Sequence, residues 1–200
     1  MELNHDWINS DLGNSYAREK NLKEYEYLNY LKNHINKVKE AYYNKFVPLL
    51  SDDTEARIIL KTITVNEFKE AIRNAENNII KHDESKYYDE EFNHYRIRFY
   101  PTIEEKEWLK ANYGNNEDEF VEEAWRHHYK NNPHHPKYWV NEETGEINDM
   151  PLKFIIEMLC DWMSFGDNTK DFYYNKAVDE KASMSTRTKE IVEQILDILY

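Results

Sequence analysis

Apolar positions recur along the chain mainly at spacings of three and four residues, the period of a helix with one buried face. Over residues 22–47, Tyr27, Leu31, His34, Val38 and Tyr42 share one stripe, with Asn21 as the N-cap and Pro48 as the stop. That stripe carries His34 inward. A second helix is expected from the capping box Thr64-Val65-Asn66-Glu67, where hydroxyl and carboxylate satisfy each other's backbone amides. Its apolar face reads Phe68, Ala71, Ile72, Ala75 and Ile79, and continued helical spacing turns His82, Asp83 and Lys86 inward at its end. Residues 91–100 alternate in a way that fits either helix or strand, and Pro101 stops them.

Further on, Asn116 can cap a helix whose first turn holds Glu117, Asp118 and Glu119, the favourable end of the helix dipole for acids. Phe120, Ala124, Trp125 and His128 lie on one side of it, and Asn131-Asn132-Pro133 breaks it. The chain then passes through His134-His135-Pro136 to Tyr138-Trp139-Val140 and the turn-like Glu143-Thr144-Gly145-Glu146, where a small hairpin fits. Asp149 before Met150-Pro151 is the expected cap of the most apolar helix, 152–165, closed by Gly166. Ile191, Ile195 and Ile198 mark an amphipathic C-terminal helix over about 186–199 that packs on the rest.

Composition narrows the fold class to all-α. Only 4 Gly and 5 Pro occur in 200 residues, too few for the turns of an all-β sandwich, so the expectation is one helical domain over 1–200 with at most a small β-hairpin near 138–147. The 16 Tyr residues require a core built partly from rings whose hydroxyls reach water or a partner. A formal net charge of -13 argues against general nucleic-acid binding. No apolar run approaches the roughly 18 to 20 residues of a membrane span, and the first residues carry neither a basic nor an apolar segment of the kind a signal peptide needs, so a cytoplasmic protein is expected. The single cysteine, Cys160, sits within FIIEMLCDWM and reads as a buried, inert thiol.

The histidines carry the chemistry. Four of the eight fall between positions 127 and 135, and with the other inward polar residues the order is His34, His82-Asp83, His127-His128, His134-His135, then Asp161. Imidazole and carboxylate are ligands for Fe, Mn, Zn or Mg. Singly, each has a plainer reading as a hydrogen-bonded core or surface residue. Together, several ionisable groups on the apolar stripes of three helices would be costly to bury without a shared partner, and a metal is one.

This order resembles the HD-domain superfamily of metal-dependent phosphohydrolases, which are all-helical bundles. Lys81-His82-Asp83-Glu84-Ser85-Lys86 is similar to that group's second motif, in which a Lys follows the His-Asp doublet by three positions. With His-His-x5-His-His, Tyr138-Trp139 and Glu157-Met158-Leu159-Cys160-Asp161-Trp162, the sequence over about residues 25–166 also resembles a bacterial and phage family of HD-like proteins without assigned function. The resemblance implies that His34, His82, Asp83 and Asp161 hold a first metal, and that Asp83 bridges to a second held by His128, His134 and His135. Lys86 would hold a phosphate oxygen. Glu157 would orient a ligand or act as a base, with a surface salt bridge as the plainer alternative. His127 points about 100° from its neighbour on a helix, so His128 is the one expected to face the site.

The implied activity is hydrolysis of a small phosphorylated substrate, such as a nucleotide, by water activated on one or two divalent ions, with Asp83 as the water's partner. Trp125, Tyr138 and Trp139 would stack a base or pack the core. Two rivals stand beside it: an HD-fold di-iron oxygenase, and a non-catalytic binding protein stabilised by metal.

Overall fold

The computed structural model describes residues 11–51, 58, 60–166 and 168–200. The leader-free reading of the first ten residues therefore lies outside the described residues. The described chain is all-α. Its helices are α1 (Asp11–Ala41), α2 (Val65–Ile80), α3 (Asp89–Phe99), α4 (Ile103–Tyr113), α5 (Asp118–Asn131), α6 (Leu152–Ser164), α7 (Thr169–Asn175), α8 (Val178–Ala182) and α9 (Thr186–Leu199). No helix among the described residues is long and apolar enough to cross a membrane. The chain gathers into two compact units, one formed by the residues up to Asn33 with Ser85–His128, the other by His34–Glu84 with Tyr129–Tyr200.

In the first unit Tyr27, Leu31, Tyr95, Val121 and Ala124 form the buried core, with Phe92, Tyr100, Phe120 and Trp125 packed against it. The Tyr27 ring lies 5.2 Å from Phe92 and 5.8 Å from Tyr100. Residues 91–100, open between helix and strand by sequence, are helical within α3. Helix α4 was not anticipated, although Thr102-x-x-Glu105 after Pro101 is a capping box: Glu105 N–H donates to Thr102 Oγ1 at 3.2 Å and Thr102 N–H to Glu105 Oε2 at 2.9 Å. The same carboxylate takes both arms of the buried Arg96 guanidinium, with Nη2 at 2.6 Å from Oε1.

The second unit is built on α2 packed against α6. Phe68, Ile72, Ala75 and Ile79 from α2 share a core with Ile155, Ile156 and Leu159 from α6 and with Ile191 and Ile195 from α9. Tyr42 is buried beside them and meets its hydroxyl requirement by donating to the Ile72 carbonyl at 2.7 Å. Cys160 is fully buried, as expected, and burial pushes its thiol well up.

Several sequence expectations shift. Helix α1 starts well before Asn21, because Ala17, Arg18, Glu19 and Lys20 are good helix formers that carry the helix through it. It then loosens into a π turn, Tyr42–Phe46, and a 3₁₀ turn, Val47–Leu50, that accommodates Pro48. The capping box at Thr64 forms as expected. Asp149 does not cap α6: Pro151 stands at that position, and the Asp149 carboxylate instead accepts from Ser185 Oγ at 2.6 Å. The expected hairpin reduces to one antiparallel bridge, Val140 to Ile147. There Asn141 Oδ1 accepts from the amides of Glu143 and Thr144, and Gly145 supplies the positive φ of 72° that closes the turn.

Candidate metal centre

Four pieces of the second unit deliver the polar residues that it buries. His34 lies on the inward face of α1, which the heptad-like stripe predicts. His82 and Asp83 arrive by a turn and not by continuation of the helix, since α2 ends at Ile80 and Lys81 caps it by donating its N–H to the carbonyls of Asn77 and Asn78. Asp83 sits at φ 57°, the one positive φ outside glycine among the described residues, a region Asp tolerates better than most side chains. His134 and His135 follow the break at Pro133, whose carbonyl accepts from Trp139 Nε1 at 2.8 Å and so pins the segment. Glu157, Asp161 and Ser164 project from α6 at positions i, i+4 and i+7, one face of the helix.

The imidazoles and carboxylates converge. His34 Nε2 is 3.4 Å from Asp83 Oδ2 and 3.2 Å from Asp161 Oδ1. His82 Nε2 is 3.6 Å and 3.5 Å from the same two oxygens. His134 Nε2 faces the other oxygen of Asp83, Oδ1, at 3.5 Å. Such separations exceed the roughly 2.7–2.9 Å of a charge-assisted hydrogen bond. They run from the edge between two ligands of one ion, about 3.0 to 3.4 Å for bonds of about 2.1 Å in octahedral or tetrahedral array, to slightly beyond it. His34, His82 and Asp83 offer ligand atoms within 4.8 Å of one another, and so do Asp83, His134 and His135. These buried clusters could hold a metal ion.

The opposite ring nitrogens are all engaged. Ser164 Oγ hydrogen-bonds with His34 Nδ1 at 3.0 Å. Glu157 Oε1 accepts from His82 Nδ1 at 3.0 Å and lies 3.2 Å from His134 Nδ1, while Asn78 Nδ2 donates to its Oε2 at 3.3 Å. With protons on Nδ1, as the Glu157 carboxylate requires of His82 and His134, their Nε2 atoms face the Asp83 and Asp161 carboxylates and would be the ones to ligate an ion. At 4% exposure Glu157 is not a surface salt-bridge residue.

The electrostatics favour positive charge here. Burial alone would lower the His82 imidazole, but Asp83, Asp161 and Glu157 outweigh it and raise it to about 10. Burial likewise opposes ionisation of Glu157, yet the N–H groups of His134 and His82 hold it at about 2. Asp161 is held well below the usual range by His34 and His82 against the same penalty. A site that holds the Glu157 and Asp161 carboxylates ionised in the interior draws either protons or a cation.

A model of a family of unknown function, DUF5662, matches residues 23–198. The chain belongs to that family. The matched span of this DUF5662 chain includes every residue of the centre. No curated protein and no solved structure matches it.

The structure thus brings His34, His82, Asp83, His134, His135, Glu157 and Asp161 of the DUF5662 chain into one unit. His135 is half-buried, its ring 4.3 Å from that of His134 and 5.0 Å from Tyr129. His128 and Lys86 belong to the first unit. There the fully buried Glu91 takes His127 Nδ1 at 2.7 Å on one oxygen and His128 Nδ1 at 2.8 Å on the other, so two rings about 100° apart on α5 serve one carboxylate. Ser85 Oγ adds a contact to His128 Nδ1 at 3.3 Å. Lys86 is half-buried on the 3₁₀ turn Glu84–Tyr87. Trp125 packs in the first unit's core, while Trp139 and Tyr138 lie on the 3₁₀ turn Pro136–Trp139, with Tyr138 exposed.

Ser164, Asn78 and Glu91 were not singled out from sequence. Ser164 carried a signal, three positions after Asp161 on the same helical face. Glu91 carried one as an acid four positions before the core residue Tyr95.

Proposed function

We propose that this protein is a metal-dependent phosphohydrolase of the HD type, acting on a nucleotide or another small phosphate ester. The observation that carries the reading is the convergence of His34 and His82 on the same two oxygens, Asp83 Oδ2 and Asp161 Oδ1, at 3.2–3.6 Å, with His134 on the other oxygen of Asp83. The donor set suits Mn, Fe, Mg or Zn. When bound, one or two such ions supply Lewis-acid polarisation of a phosphoryl oxygen and an activated water.

The chain's own part is division of labour among carboxylates. Asp83, with its two oxygens turned toward different imidazoles, would bridge the ions and accept a hydrogen bond from the attacking water. Asp161 contributes charge. Glu157 is occupied on both oxygens, which suits orientation of the histidines and not proton transfer. The doublet-to-lysine spacing supports Lys86 as the residue for a phosphate oxygen. A net charge of -13 favours a small substrate over a long nucleic acid.

The test is direct. Mn- or Fe-loaded protein should hydrolyse a generic phosphate ester, and His82→Ala or Asp83→Ala should lose both bound metal and turnover. Full turnover in either variant refutes the assignment. An iron-loaded protein that consumes oxygen and leaves the ester intact would instead favour the oxygenase class.

A further inference from the structure

We propose that Glu157 is a positioning residue shared by two metal positions, and that Asn78 fixes it in that role. The inference rests on the two-ion form of the reading above. One position is marked by His34, His82, Asp161 and Asp83 Oδ2, the other by His134, His135 and Asp83 Oδ1. The Nδ1 atoms of one ligand from each position, His82 and His134, lie 3.0 Å and 3.2 Å from the same Glu157 oxygen. Their rings stand 4.4 Å apart. A carboxylate oxygen only accepts, so both rings must carry their proton on Nδ1 to satisfy it, and both Nε2 atoms are released for ligation in one stroke. Asn78, half-buried near the end of α2, donates to the second oxygen and stops the carboxylate from rotating away.

His34 is oriented differently. Its Nδ1 meets the Ser164 hydroxyl at 3.0 Å. The two orienting residues therefore differ in reach: loss of Ser164 disturbs one ligand of one position, whereas loss of Glu157 disturbs a ligand of each. The neutral amide of Gln is a weaker acceptor than a carboxylate and directs two donors into space that Asn78 and the imidazole N–H groups already fill with donors of their own.

The experiment measures Mn²⁺ binding by calorimetry on the full chain, with long-range ¹H–¹⁵N NMR of the Zn²⁺-loaded protein to read the tautomer of His82 and His134. Wild type is expected to bind two ions with both rings protonated on Nδ1. Glu157→Gln should weaken both binding steps by about 10- to 100-fold, and it should alter the imidazole signals of both rings. Ser164→Ala should weaken one step alone. Asn78→Ala should weaken both steps less than Glu157→Gln does, and it decides the matter if Glu157→Gln fails to fold in a melt with chelator. Wild-type affinity at both steps in Glu157→Gln, loss at only one, or a wild type that binds a single ion overturns the shared role. A wild type that binds two ions yet hydrolyses no phosphate ester removes the hydrolase and leaves the positioning role standing.

Discussion

Asp161→Asn separates metal binding from packing. The replacement keeps the shape of a side chain that is 8% exposed within α6, and Asn and Asp have similar helix propensity. It removes one carboxylate whose Oδ1 lies 3.2 Å from His34 Nε2 and 3.5 Å from His82 Nε2. For wild type, Mn²⁺ at a hundred times its Kd, bound by the folded state alone, adds about 2.7 kcal/mol. For a chain of this length each kcal/mol moves the melting temperature by about 2–4 °C, so the metal should raise it by about 5–10 °C. A hundredfold weaker variant at the same Mn²⁺ sits at its Kd, where the gain falls to about 0.4 kcal/mol and roughly 1 °C. The assay is differential scanning fluorimetry of both proteins in Mn²⁺ and in EDTA, read as the difference between the two melts of each protein, which cancels any metal-independent cost. An Asp161→Asn melt that rises with Mn²⁺ as far as the wild type's refutes ligation by Asp161. A wild type whose melt ignores Mn²⁺, Fe²⁺, Zn²⁺ and Mg²⁺ alike refutes the metal centre.

Two more outcomes follow from parts outside the centre. Burial raises the Glu105 carboxyl, but Arg96 and the Thr102 amide outweigh it and hold it below the usual range. Its contribution is therefore present above the unfolded-state value of about 4.3 and is lost as pH falls through the lower folded value. Glu105→Gln, which leaves Arg96 buried without its anion, should cost about 3 kcal/mol near neutral pH by denaturant titration. It should also flatten the stability loss between about pH 5 and pH 3, and an unchanged acid profile would refute the pair's role. Cys160, fully buried with its thiol pushed up, should not react with a thiol reagent until the chain unfolds, and rapid labelling of native protein would contradict that burial.

What could be read from sequence depended on whether the signal was periodic or local. The α2 face and the α1 stripe follow from spacing alone, because a helix that buries one face must repeat near 3.6 residues. His34 is found the same way, whereas Asp161 stands out as an acid within the most apolar helix. The doublet was expected inward for a wrong reason: helical continuation was extended past Ile80, whereas the turn at Lys81 and the positive φ of Asp83 do the placing. Backbone conformation of that kind leaves no periodic trace. Helix α4 was missed although Thr102 and Glu105 announce it, since its exposed, charged body gives a weak apolar pattern. The α7 and α8 helices, seven and five residues long, are too short to show a period at all. Partner choice is least legible. Asp149 reads as a cap by type and position, and only the fold reveals that Ser185 competes for it.

The backbone angle at Asp83 bears on how this sequence can drift. Most core positions are negotiable, because a volume lost at Ile72 can be restored by a neighbour. Position 83 is constrained by a left-handed backbone that favours Gly, Asn and Asp, and the proposed metal centre adds the demand for an anion with two oxygens. Glu meets the second demand and strains the first; Asn and Gly meet the first and fail the second. No single replacement satisfies both demands, so under the proposed centre this position should tolerate substitution less than the core positions around it.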